Sequence, residues 1–210
     1  DGQLDSAILQ MEADEPVNID LIVKDESGAV IRSLVNKMYL AGGTTEYVWD
    51  GKTDSGEFAS DGPYVITAIF TDVCNIVEEH DIEIEIDNTP PDLAITSPET
   101  TGLYPIMVDI VGSVHDNRLQ SYSVSYGVGT TPATWALIGA GVDNKTDELL
   151  TSWNTFGFKG DYQLKLEALD AAYNKSEVLV NLNFQERNEW ISSLDATPVL
   201  FSPNDDKELD

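Results

Sequence analysis

The sequence predicts an all-β chain built from two tandem antiparallel β-sandwiches. Apolar and polar residues alternate in short runs, most strictly at residues 81–87, and this period of two is that of a strand with one buried face. Clusters of Gly, Asp, Asn and Ser separate the runs, as turns separate short strands. The chain has 210 residues, which is room for two sandwiches of about 100 residues each.

The predicted strands follow one another through both halves of the chain. Alternating runs lie at residues 17–23, 81–87, 106–114, 119–126, 162–168 and 178–184. Between them stand turn formers such as residues 26–28 and 54–56, in which Asp bonds nearby backbone and Gly supplies a positive φ. No stretch shows the 3.6-residue period of an amphipathic helix, so we expect helix to be nearly absent.

A proline-rich segment divides the chain. Residues 87–92 read Asp-Asn-Thr-Pro-Pro-Asp, and two prolines cannot donate to a strand ladder and stiffen a connection. We therefore predict one domain at residues 1–88 and a second at residues 89–186. Residues 187–210 are predicted to be a connector and the start of a further repeat.

An internal repeat supports this division. Residues 61–72 align with residues 159–170 without a gap, at an offset of 98 residues. Both read Gly-x-Tyr, then alternating apolar residues, then an Asp eight positions after the Tyr. Tyr64 and Tyr162 fit the tyrosine corner of immunoglobulin sandwiches, in which the hydroxyl bonds nearby backbone. We also expect Trp49 and Trp153, which precede the two segments, to lie in the two cores.

The composition is strongly acidic. There are 38 Asp and Glu against 11 Lys and Arg, a formal charge of −27. Such a surface repels phosphate, so we expect no nucleic-acid partner and no membrane insertion, whereas divalent cations are attracted. The single cysteine, Cys74, excludes a disulfide within the chain, and we predict it to be a small buried residue.

The sequence offers no catalytic motif. Gly51-Lys52-Thr53 lacks the upstream glycine of a phosphate-binding loop and no helix follows it. The two histidines, His80 and His115, have no nucleophile in an elbow motif nearby. We therefore predict that the chain is not an enzyme and requires no cofactor.

Calcium is the one ligand for which the sequence offers a site. Carboxylate and amide oxygens on turns are the ligands that Ca²⁺ prefers. The predicted metal ligands at the domain junction are Asp87, Asn88, Asp116, Asp170 and Asn174. Weaker candidates are residues 1 and 5 together with the turn of residues 50 and 54, and, as a separate group, residues 204, 205, 206 and 210. The alternative is that these residues only form turns, which Asp and Asn favour without any metal.

An ordered string of motifs marks the first third of the chain. It reads Asp-Gly-Gln-Leu-Asp at residues 1–5, Val-Trp-Asp-Gly at 48–51, Asp-Ser-Gly at 54–56 and Gly-Pro-Tyr at 62–64. With these motifs residues 1–75 resemble the immunoglobulin-like domain of the flagellar hook-capping (FlgD-type) family. Residues 89–184, which open on Thr-Pro-Pro, resemble bacterial immunoglobulin-like domains. The resemblance implies two tandem antiparallel immunoglobulin-like β-sandwich domains.

What the resemblance implies about function is a surface role. We expect a non-catalytic structural spacer or stalk segment of a large secreted or cell-surface bacterial protein, whose partners are neighbouring immunoglobulin-like domains of the same chain. One alternative is an adhesin module whose exposed loops bind a cell-surface receptor or glycan. Another is an ancillary domain of a large secreted enzyme or toxin.

Overall fold

The computed structural model describes residues 6–100 and 104–185, and these residues form strands and no helix. The first half contains β1 (Ala7–Ala13), β2 (Val17–Asp25), β3 (Val30–Leu40), β4 (Gly43–Trp49), β5 (Gly62–Asp72) and β6 (Val77–Ile86). The second half contains β7 (Asp92–Ser97), β8 (Met107–His115), β9 (Leu119–Val128), β10 (Ala136–Gly141), β11 (Lys145–Asn154), β12 (Gly160–Asp170) and β13 (Lys175–Phe184). The described residues thus include no helix that could span a membrane.

Domain 1, as we call strands β1–β6, is a sandwich of unequal sheets. A four-stranded antiparallel sheet in the order β3-β2-β5-β6 faces a two-stranded sheet of β1 and β4. Alternate residues of β2 and β5 point into the core, as their period of two predicts. Trp49, at the end of β4, is fully buried there and meets the edge of the Tyr64 ring at 5.8 Å between centroids.

Domain 2, strands β7–β13, pairs a sheet in the order β10-β9-β12-β13 with a sheet in the order β11-β8-β7. All pairs are antiparallel. Its core is aromatic at one end, where Trp153 packs on Tyr126, Phe158 and Phe184 at centroid distances of 4.9–5.5 Å. The core positions predicted for Trp49 and Trp153 are therefore confirmed.

No sheet of the described residues contains strands from both halves. The all-β class and the tandem antiparallel sandwiches are as predicted. The domain limits remain a prediction, and the predicted connector at residues 187–210 lies outside the described residues.

The strand ends define two poles for each domain. In domain 1, β5 begins and β6 ends at the pole that faces domain 2, while the β5–β6 turn lies at the opposite pole, which we call the free pole of domain 1. In domain 2, β12 ends and β13 begins at the pole that faces domain 1, and Phe184 ends β13 at the free pole of domain 2. The junction is therefore built from strand ends and turns of both domains.

Two sequence predictions differ from the structure, those for Cys74 and Tyr162, and one isoleucine on a correctly predicted strand face is less buried than its neighbours. Cys74 is exposed in the β5–β6 turn rather than buried. Ile82 lies on the inner face of β6 but is 46% exposed, because the two-stranded sheet opposite is too narrow to cover the outer strand. The tyrosine corner forms at Tyr64, whose hydroxyl donates to the Ser60 carbonyl at 2.8 Å. The Tyr162 hydroxyl makes no hydrogen bond within the described ranges, and its ring stacks on Phe158 at 4.6 Å instead.

Candidate calcium site at the domain junction

Three carboxylates meet where three strands end. Asp87 follows β6, Asp116 follows β8, and Asp170 is the last residue of β12. One oxygen of each carboxylate lies within 4.8 Å of the others. Asp170 is fully buried, and the other two are half-buried. The structure therefore brings together residues that are 83 positions apart from first to last, on both sides of the linker.

Local turns fix the direction of each carboxylate. Asp116 accepts a hydrogen bond from the backbone N–H of Arg118 at 2.6 Å, and Asp87 accepts one from the backbone N–H of Thr89 at 3.2 Å. Asp170 accepts from the backbone N–H of Asn174 at 2.8 Å. The turn preference of Asp thus positions these side chains, as the alternative reading of the sequence expects.

The turns leave acceptor capacity unused. Each bond to Asp87 and Asp116 engages Oδ1, and within residues 6–100 and 104–185 their Oδ2 atoms accept no hydrogen bond. None of the three carboxylates forms an ion pair in the same ranges. The cluster therefore concentrates negative charge that no described cationic side chain neutralises.

The electrostatic consequence is visible at Asp87. Burial raises the pKa of this carboxyl above its ordinary value, and repulsion by Asp170, Asp116 and Asp61 raises it further, while the hydrogen bond from Thr89 acts in the opposite direction. A raised pKa means that the folded protein disfavours the third negative charge at this place.

The two predicted asparagines have different positions. Asn174 is part of the junction, because its Nδ2 donates to the backbone carbonyl of Asp87 at 2.8 Å and to Oδ2 of Asp170 at 2.9 Å. Asn88 turns toward domain 1, where its backbone N–H and its Nδ2 both donate to Oδ1 of Asp61 at 2.8 and 3.0 Å. Asn174 could offer its amide oxygen to a cation at the cluster, whereas the Asn88 side chain is engaged elsewhere.

Sequence reasoning missed four residues of the junction, which are Asp61, Glu85, Thr89 and Arg118. Asp61 accepts from Asn88 and also from the Thr89 hydroxyl, which holds the linker on domain 1. Arg118 pairs with Glu85 across the two domains. The only sequence signal for these residues was that Asp61 lies in a Gly-containing turn, which does not reveal its partner.

The remaining acidic candidates give no second cluster among the described residues. Asp50 accepts from the backbone N–H of Lys52 at 3.2 Å, and Asp54 accepts from that of Ser33 at 3.1 Å. Asp50 therefore acts as a turn former, whereas Asp54 ties its loop to β3. Residues 1, 5 and 204–210 lie outside the described residues.

A cleft of about 630 Å³ opens beside the carboxylates. Domain 1 lines it with Trp49, Phe58 and Ile84, and domain 2 lines it with Ala172 and Tyr173. The cleft therefore lies between the β12–β13 turn of domain 2 and the pole of domain 1 that faces domain 2.

Comparisons with known proteins give one family match and several distant structural neighbours. A solved structure described as fibronectin(III)-like modules of Clostridium thermocellum CbhA is 13% identical, over 89% of this chain and 91% of that chain, with a TM-score of 0.44. A tetra-tandem repeat in the extending region of a large adhesion protein is 14% identical, over 88% of this chain and 47% of that chain, with a TM-score of 0.35. No curated protein sequence matches significantly. Residues 1–72 match the family described as the FlgD Ig-like domain, which confirms the resemblance carried by the motifs of the first third of the chain.

Proposed function

We propose that this chain is a non-catalytic spacer segment of a large secreted or surface-exposed bacterial protein, and that one calcium ion stiffens the junction between its two domains. The observation that carries the proposal is the meeting of Asp87, Asp116 and Asp170 across the linker. A spacer must hold its domains in a line, and this cluster lies where the line can bend.

Direct contacts already restrict the junction. The bond from Asn174 to the Asp87 carbonyl and the ion pair of Arg118 with Glu85 both join domain 1 to domain 2. The described residues give few such contacts, and interfaces between domains of one chain are commonly small and mobile. A calcium ion bound at the same place would therefore restrict the motion of one domain relative to the other.

The spacing of the carboxylates suits calcium. Ca²⁺ binds oxygens at about 2.3–2.6 Å, so two ligands on opposite sides of one ion are about 4.6–5.2 Å apart. The cluster oxygens lie within 4.8 Å of one another. Burial is the main reason that the pKa of Asp87 is raised, and a cation there would cancel the repulsion that raises it further. The amide oxygen of Asn174, backbone carbonyls and water could complete the shell.

Calorimetric melting of the whole chain in EDTA and in about 5 mM calcium tests the proposal. For affinities of about 10⁻⁴–10⁻³ M, typical of extracellular modules, binding to the folded state alone adds about 1–2 kcal/mol. We expect the melting temperature to rise by several degrees. An unchanged melting temperature would leave the three acids as turn formers.

A matched pair of variants separates the site from general charge effects. Asp116→Asn keeps the acceptor for the Arg118 N–H and removes one charge of the cluster. Asp72→Asn removes one charge from the β5–β6 turn of domain 1, the counterpart of the turn that carries Asp170. The Asp72 carboxylate also accepts backbone hydrogen bonds, but it belongs to no acidic cluster of the described residues. Only Asp116→Asn should abolish the calcium response, and an equal loss in both variants contradicts a specific site.

The spacer role itself has a separate measurement. Spin labels placed on the two domains report the distribution of distances between them. We expect calcium to narrow this distribution in the unmodified chain and to leave it unchanged in Asp116→Asn. A distribution that stays broad despite calcium binding would mean that the ion stabilises the turns without stiffening the segment.

A further inference from the structure

The two domains differ by one strand in the smaller sheet. In domain 2 this sheet has three strands, because β7 pairs with one edge of β8 while β11 pairs with the other. In domain 1 it has two strands, and the edge of β1 that does not pair with β4 has no strand partner among the described residues. Domain 1 therefore presents an open ladder of backbone N–H and C=O groups along β1.

The open edge of β1 corresponds to the edge of β8 that β7 occupies. β5 pairs with β6 as β12 pairs with β13, at a constant offset of 98 positions. The buried Trp49 of β4 lies opposite β1, and the buried Trp153 of β11 lies opposite β8. Strand for strand, β1 is thus the counterpart of β8, and the described part of domain 1 has no counterpart of β7.

In domain 2, β7 covers the outer strand of the opposite sheet. It packs against β12 and β13, and its Leu93 and Ile95 lie against the core. Under this cover the inner face of β13 is shielded from water. Leu182 and Phe184 are buried, and Val180 is half-buried.

The same face of β6 in domain 1 is less buried at every equivalent position. Ile82, Ile84 and Ile86 each stand 98 positions before one of the three β13 residues. Ile82 is 46% exposed, and the other two are half-buried instead of buried. The difference runs along the strand, so it reflects the missing cover and not one exposed side chain. An open ladder edge beside an uncovered apolar face is a place where a further strand can add.

One segment of the chain has the same sequence frame as β7. The β7 segment opens on Thr-Pro at residues 89–90 and closes on Ser-Pro at residues 97–98. Residues 197–203, which lie outside the described ranges, read Thr-Pro-Val-Leu-Phe-Ser-Pro, with the same opening and closing pairs around three apolar residues. Valine and phenylalanine favour strands. Proline cannot donate to a ladder, so pairing is confined to residues 199–202.

The position of this segment agrees with its sequence. Residues 206–210 repeat the Asp, Leu and Asp of residues 1–5 at the first, fourth and fifth positions. When residue 206 is aligned with residue 1, Ser202 stands ten positions before the start of β1. Ser97, at the end of β7, stands ten positions before the start of β8. The segment therefore has the spacing of a strand that pairs with β1.

We propose that residues 199–202 of one chain add to β1 of a second copy as a third strand and cover the Ile82 region of β6. The added strand would run antiparallel to β1, as β7 does to β8. Backbone hydrogen bonds would hold it on the ladder edge, and alternate side chains would fill the face above β6. Residues 197–203 carry no charged side chain, so docking brings no further carboxylate to a chain with a formal charge of −27.

Peptide binding tests the acceptor surface directly. The probe is a synthetic peptide of residues 196–204, added in EDTA to the whole chain with Phe201→Asp, whose own segment should not compete. Four paired residues bury little surface, so we expect a dissociation constant of about 0.1–1 mM. In amide NMR the peptide should shift the resonances of β1 and Ile82 and slow hydrogen exchange along β1. No binding at peptide concentrations above this range, or binding without protection of β1, overturns the proposal.

Matched variants test the specificity of this binding. A peptide with Phe201→Asp should not bind, and Ile82→Asp in the chain should abolish binding of the unmodified peptide. Leu179→Asp is the control, because Leu179 is 44% exposed on the outer strand of domain 2. Binding must survive this change, and its loss would mean unspecific contact between apolar residues. Circular dichroism checks the fold, and Ile82→Thr repeats the test if Ile82→Asp unfolds.

Sedimentation equilibrium of the unmodified chain in EDTA tests whether a second copy supplies the strand. In about 1 M salt, where charges are screened beyond about 3 Å, the average mass should rise above that of the monomer at about 0.1–1 mM. Phe201→Asp and Ile82→Asp should each stay monomeric, because one lacks the donor and the other the acceptor. Their equimolar mixture should form a complex of two chains and no larger species. An unmodified chain that stays monomeric, or a mixture that does not associate, overturns the proposal.

Discussion

Replacing the two corner tyrosines by phenylalanine separates a hydrogen bond from ring packing. Tyr64→Phe removes a hydroxyl that donates to the Ser60 carbonyl at 2.8 Å and lies 3.2 Å from the Ser60 hydroxyl. Tyr162→Phe removes a hydroxyl that has no such bond in the described ranges, and keeps the ring stacked on Phe158. The two variants therefore differ in one interaction while the chemical change is the same.

The expected magnitude follows from the surroundings of the bond. A hydrogen bond within a protein contributes about 0.5–1.5 kcal/mol net, and an acceptor left unpaired in the core costs more. Tyr64 is buried, but Ser60 is exposed, so water can reach the carbonyl after the change. We expect Tyr64→Phe to cost about 1 kcal/mol and Tyr162→Phe to have a much smaller effect.

Amide hydrogen exchange measured by NMR resolves the two domains. Slow amides of the central strands β5 and β12 report the free energy of opening of their own domains. Tyr64→Phe should lower the value for β5 alone. Equal losses in β5 and β12 for the two variants, or no loss in β5, would refute the assignment of a corner to domain 1 only.

Three further changes test other contacts. Burial alone would raise the pKa of Glu167, but hydrogen bonds from two lysine side chains outweigh it and hold the pKa below its ordinary value of 4.5. The ionised Glu167 carboxylate therefore stabilises the folded chain above that pH, and this stabilisation is lost as pH falls through the lower folded pKa. Lowering the pH should thus reduce the free energy of unfolding more in the unmodified chain than in the Glu167→Gln variant. Arg118→Gln removes the exposed ion pair to Glu85, and we expect little change in melting temperature but a broader distance distribution between domain-borne spin labels. Gly112→Ala would place a Cβ 2.2 Å from the Ala94 carbonyl oxygen, and urea denaturation should show a loss of about 1–3 kcal/mol.

Periodicity predicted which face of a strand points inward, but not what covers that face. The alternation at residues 81–87 placed Ile82, Ile84 and Ile86 on one side correctly. Their burial depends on the width of the opposite sheet, which has two strands, and no local pattern encodes that width. Ile82 is exposed for this reason.

The sequence predicted which residues belong to the candidate site, but not the hydrogen bonds that join them. Asp and Asn at the ends of predicted strands were sufficient to nominate Asp87, Asp116 and Asp170, because strand ends gather at a pole. The bond from Asn174 to Asp87 joins residues 87 positions apart, and only the packing of the two domains creates it.

The directions of the outer strands of domain 2 have a mechanical consequence. β7 and β13 both begin at the pole that faces domain 1 and end at the opposite pole, and they belong to different sheets. A force applied between Asp92 and Phe184 therefore acts along both strands. It would slide β7 past β8 and load the hydrogen bonds of that ladder together, since these bonds run across the strand direction. A domain pulled in this way resists until many bonds fail at once, whereas peeling would break them one after another.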